Sequence, residues 1–158
     1  MKEAFSISCP AFETDGSIPK KHTGFGEDTS PAFELKNLSD QAVSVAIIMD
    51  DIDVPICREL NHWVIWNLPA QGNIPEGIPK KPAADGPANA VQGVGWGKNR
   101  YRGPKQPPFI RKAHRYRFTC YVLDRFLDLD KSCRKAALLA AMEGHVIQQG
   151  EVIGTYKR

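Results

Sequence analysis

No stretch of this chain approaches the roughly 20 consecutive apolar residues that a membrane-spanning helix needs. Its start, Met1-Lys2-Glu3-Ala4-Phe5-Ser6, has no apolar core of signal-peptide length, so the expected compartment is the cytoplasm. Cysteine is scarce: Cys9, Cys57, Cys120 and Cys133 include no C-x-x-C pair, which argues against a zinc knuckle or a thioredoxin-type site. Free thiols are the expectation in a reducing compartment. There is no nucleophile elbow, no His-Glu-x-x-His and no paired metal motif, so neither catalysis nor a metal or other cofactor is expected. Gly93-Val94-Gly95-Trp96-Gly97-Lys98 lacks the spacing of a phosphate-binding Walker loop, and no helix pattern follows it. Internal repeats and low-complexity tails are also missing.

What is present is the composition of an ordinary globular protein, with 42% hydrophobic and 25% charged residues. A length of 158 residues fits one domain, 1–158, with a real core. The net charge of +3 is unevenly placed. Residues 98–117 carry eight Lys or Arg and no acid, while the remainder carries 13 basic and 18 acidic residues.

Strand patterns dominate. Phe5, Ile7 and Cys9 alternate with polar or small residues over 4–9. Phe33-Glu34-Leu35 is a short strand, and the apolar run 43–49 a buried one. Residues 71–87 are rich in Gly, Pro and Ala and predict a long surface connection. Residues 114–124 predict the longest strand, with His114, Tyr116, Phe118, Cys120 and Val122 on one face. One helix is expected, over 132–149, capped by Asp130 or Ser132 and ended by Gly150. Leu138, Leu139, Met142 and Val146 would form its packing stripe, with His145 on the same side. Trp63, Trp66 and Trp96 read as core or wall residues. Many strands with one late helix predict a mainly β fold: a two-sheet antiparallel sandwich of Greek-key type with a C-terminal helix and short helical turns.

The chain is organised around Asp50-Asp51-Ile52-Asp53-Val54-Pro55, which follows the buried run and predicts an acid-bearing turn at a strand end. Two further strands open on histidine, His62-Trp63-Val64-Ile65 and His114-Arg115-Tyr116. With Gly103-Pro104, Asp28-Thr29-Ser30-Pro31, Met142-Glu143-Gly144-His145 and Gly154-Thr155-Tyr156, these motifs resemble, nearly end to end and in order, the phosphatidylethanolamine-binding protein family, in its bacterial and archaeal Raf-kinase-inhibitor-like branch. Ile52 stands where the family has a proline. The resemblance implies a pocket lined by Asp51, His62, His114 and Tyr116, regulation of a protein partner, and a cis bond at Arg58-Glu59.

The residues themselves suit a small anion. Asp51 or Asp53 can fix an imidazole tautomer, a protonated histidine can bond a phosphate oxygen, and Tyr116 adds a hydroxyl. Pro55 shapes the turn, and Gly103-Pro104 permits close backbone approach with amide donors. A carboxylate beside the imidazoles would raise their pKa. The expected ligand is therefore a phosphate-bearing headgroup or a phosphorylated side chain. Nucleic-acid binding through 98–117, with Tyr101, Phe109 and Tyr116, is the less expected alternative, and a hydrolase built on the His/Asp group is another. The protein is expected to be a monomer or a homodimer.

Overall fold

The computed structural model describes residues 3–82 and 90–158; part of the long connection expected over 71–87 lies outside them. Two antiparallel sheets make the architecture. The smaller contains β1 (Ser6–Ser8), β2 (Phe33–Lys36) and β5 (Asn73–Ile74), in the order β1-β2-β5. The larger contains β3 (Ser44–Val54), β4 (Arg58–Pro69), β6 (Val91–Gln92), β7 (His114–Leu123) and β8 (Val146–Tyr156), in the order β6-β4-β3-β7-β8. The chain makes the β3–β4 hairpin, then returns to lay β7 on the other side of β3, a Greek-key type of crossing.

Period-two alternation on β3 decides what each face of the large sheet covers. Val45, Ile47 and Met49 face the small sheet and join Ile7, Phe33 and Phe118 in the main core. Ala46 and Ile48 face the other way, into a second cluster with Leu138 and Met142 of the helix α1 (Lys135–Met142). With both faces covered, β3 can be apolar at every position from Val45 to Met49, the pattern of a strand buried on two sides.

Two sequence expectations fail here. The helix is shorter than 132–149. Its cap position is Arg134, without a side-chain hydrogen bond; the chain leaves helical geometry at Glu143 (φ −57°, ψ 126°), and Gly144 follows at φ +82°, which favours glycine. Residues 146–156 form β8 instead and pair with all of β7, from Leu123↔Val146 to His114↔Tyr156. Tertiary pairing thus overrides a locally helical pattern. Leu139 and Val146 are consequently more than one-third exposed, and His145 contacts Asp124 (Nδ1 to Oδ1, 3.0 Å).

The acid-bearing stretch, likewise, is no turn. β3 runs through Asp50 and Asp51 to Val54, with Asp50 opposite Arg117 and Asp51 opposite Tyr116. Both carboxylates find partners, so they need not end the strand at the core boundary. The turn falls at 55–57, and His62 lies four residues inside β4 rather than at its start. The described residues contain no cis peptide bond, and the conformation of the Arg58–Glu59 pair, where one was expected, lies outside what is described.

A candidate ligand pocket at the end of the sandwich

Asp51 continues the face of Val45, Ile47 and Met49, and so emerges at the end of the core between the sheets. β7 is paired to β3 without a register break from Ser44↔Leu123 to Asp51↔Tyr116, which brings His114 and Tyr116 to the same end. β4, on the other side of β3, supplies His62. All four residues are buried, between 1% and 6% exposed, yet all line one cavity of about 580 Å³. Pro55 lies on its rim with Ile56, and Trp96, Phe109 and Ile110 extend its apolar wall.

Hydrogen bonds orient each group. Asp51 Oδ1 accepts the Asp53 N–H at 2.9 Å, and Oδ2 lies 2.8 Å from His114 Nδ1. His62 Nδ1 lies 2.7 Å from the Arg102 carbonyl oxygen, which can only accept. The proton therefore sits on Nδ1 of His62, leaving Nε2 an acceptor while the ring is neutral. The His62 ring meets Tyr116 edge-on, with centroids 5.5 Å apart, and lies 4.8 Å from the Trp96 ring.

Burial, more than the neighbouring carboxylate, controls titration at His62. Desolvation pushes its pKa below the ordinary value and outweighs the opposing Arg102 carbonyl and Asp51 charge. This reverses the raised pKa expected from adjacent acids. Burial and the Asp51 charge together push Tyr116 far up, so its hydroxyl remains a donor.

Other expected site residues lie elsewhere. Asp53 is not a wall of the cavity; it holds Arg115 through both carboxylate oxygens at 2.9 Å, and this pair lowers its pKa. The Gly103 amide is committed to Asp28 Oδ1 at 2.7 Å, and Pro104 has no N–H to offer. Glycine is nonetheless required at 103, since a Cβ would stand 2.0 Å from the His22 carbonyl oxygen. The cations of 98–117 do not form one face: Arg115 bonds Asp53, Arg117 reaches Asp50 and Glu59, and Arg102 lies 4.0 Å over the Trp96 ring. Sequence reasoning missed Lys105, Gln106, Leu60 and Cys57 as lining residues: Lys105 and Gln106 come from a loop far away in the chain, while Cys57 and Leu60 come with the β3–β4 turn and the start of β4.

The fold and the motifs place the chain in a defined class. The phosphatidylethanolamine-binding protein family model matches residues 8–157, and the chain belongs to that family of binding proteins. A UPF0098 protein of Pyrococcus horikoshii is 42% identical over 148 residues, covering 93% of this chain and 74% of the relative. One from Methanothermobacter thermautotrophicus is 39% identical over 155 residues, covering 97% and 99%. Among solved structures, the Chlamydia trachomatis phosphatidylethanolamine-binding protein homologue CT736 superposes with a TM-score of 0.85 at 32% identity, covering 98% of both chains. Escherichia coli YbcL, at 22% identity, shares the fold with a TM-score of 0.87 over 99% of both chains.

Proposed function

We propose that this cavity binds a small phosphate-bearing ligand, a headgroup or a phosphorylated side chain, and that the protein acts by binding. The observation that carries the reading is the convergence of His62, His114 and Tyr116 on one cavity, with each histidine tied by Nδ1 and each Nε2 left for a ligand. A fully ionised phosphate has no proton to give, whereas neutral His62 Nε2 accepts and cannot donate. A phosphate monoanion fits better: its P–OH can donate to His62 Nε2, and another of its oxygens can accept from His114 once that ring is protonated. The Asp51 carboxylate at the cavity repels a second negative charge, which again selects the monoanion. The apolar wall accommodates the part of the ligand beyond its phosphate.

Calorimetric titration of phosphoethanolamine and inorganic phosphate tests this. Affinity should rise as pH falls from about 7.5 toward the second phosphate pKa near 6. A single-stranded oligonucleotide should not compete. Equal affinity in wild type and in folded His62→Ala and His114→Ala variants would remove the assignment. Tight, steeply salt-dependent oligonucleotide binding would favour a nucleic-acid face instead.

A further inference from the structure

A second cavity of about 520 Å³ opens beside the first, sharing Trp96 and Lys105 as walls but otherwise different in chemistry. Among the described residues, Lys105 is the only lysine or arginine lining the histidine cavity. The neighbouring cleft is lined by Lys80, Arg100, Arg102 and Lys105 against two carboxylates, Glu27 and Asp28. Its remaining lining comes mainly from glycines, so no side chain fills the space.

Four cations against two carboxylates leave an excess of positive charge there. Asp28 is occupied within the fold: Oδ1 accepts the Gly103 N–H at 2.7 Å, and Arg100 Nη1 stands 3.7 Å from Oδ2. Arg102 is held in place with its Nη1 on the Trp96 carbonyl oxygen at 2.7 Å and its plane over the Trp96 ring, so little conformational freedom remains to be lost on binding. Lys80 Nζ is anchored on the Glu27 carbonyl oxygen at 2.7 Å, which leaves its charge uncancelled by that bond. Lys105 forms no ion pair with a carboxylate among the described residues, its Nζ lying 5.8 Å from the Phe25 ring centroid. The loops beneath are fixed by Gly24 N–H to Pro104 O at 2.8 Å and Thr29 N–H to Lys21 O at 3.0 Å. Cations held in place around a polar cleft are preorganised to receive an anion.

We infer that this cleft is a second oxyanion site, for a phosphate-class group that keeps its full charge at neutral pH, distinct from the histidine cavity and independent of its assignment. Its donors are guanidinium and ammonium groups, which carry their protons throughout the neutral range. Binding here should therefore persist at pH 8, where the histidine cavity is least favourable to phosphate.

Amide-resolved NMR titration with inorganic phosphate at pH 6 and pH 8 tests the inference. Gly24, Gly26, Arg100 and Gly103 should shift along a saturable curve at both pH values. A variant carrying Lys80→Gln and Arg100→Gln should weaken that curve about tenfold or more, the effect of losing a charge-assisted bond. Shifts around Tyr116 and Gly154 should survive in it. His114→Ala should do the reverse. The inference is overturned if the cleft amides do not respond, if the double variant titrates like wild type, or if His114→Ala removes both sets of shifts together. Cleft shifts without any response near Tyr116 would support this site and defeat the histidine one.

Discussion

Asp50 and Asp51 are chain neighbours, both nearly inaccessible to solvent, and they lead different lives. Asp50 points to the helix face of the large sheet. There Oδ2 accepts from Lys135 at 2.8 Å and Arg117 at 3.3 Å, and Oδ1 from the Asn61 side chain at 3.0 Å. Glu59 closes this network by pairing with the same Lys135 and Arg117. Every charge has an opposite charge, and the group is saturated. Asp51 points to the other face and meets an imidazole, a backbone amide and a buried phenol. It has no such cation cluster, and a cavity stands in front of it. A buried carboxylate fully matched by cations holds elements together; one matched by a titratable ring at a cavity can respond to a ligand.

The two sides should separate under mutation. Asp50→Ala should cost about 2–3 kcal/mol of stability in urea unfolding, because it strips a nearly solvent-free carboxylate from three donors. Phosphate affinity of the folded variant should stay at the wild-type level; its loss would show that the faces are not independent.

His114→Ala should weaken phosphate by about 1.5–3 kcal/mol in calorimetry. It should also lower stability, since the substitution leaves the Asp51 carboxylate without its imidazole partner. An effect on binding with none on unfolding would mean that Asp51 regains solvent in the variant.

The third expectation uses pH. The folded-state pKa of His62 is depressed, so below the unfolded value of about 6.5 the unfolded chain binds the proton more readily. The contribution of His62 to stability is then complete above that pH and lost as pH falls from there through its folded pKa. The stability difference between wild type and His62→Gln should shrink on acidification across this window in parallel urea titrations. A difference that grew would place a raised pKa at His62. The smallest effect belongs to Arg115→Ala: its pair with Asp53 is solvent-exposed and screened, so both the unfolding midpoint and phosphate binding should stay close to wild type.

Much of the fold was legible because it rests on period-two alternation: the strand around Ile7, the apolar run of β3 and the shared face of His114, Tyr116 and Phe118 all follow from it. Alternation put His114 and Tyr116 on one face, whereas Asp51 and His62, on two other strands, were joined to them by the family resemblance and not by spacing. Residues 143–149 were not legible, because short segments of mixed propensity take the structure their partners impose. Here the open edge of β7 imposed a strand.

Residue type and order determined a β-rich protein in which acids follow an apolar strand run and two other strands each carry a histidine. The tertiary structure decided which acid serves which purpose. Alternation sends Asp50 and Asp51 to opposite faces, but only the placement of α1, β7 and the loop carrying Arg102 gives one a set of cations and the other a cavity. It also decided that His62 would be neutral rather than charged, because desolvation depends on what covers a ring, and the residues covering His62 lie far from it in the chain.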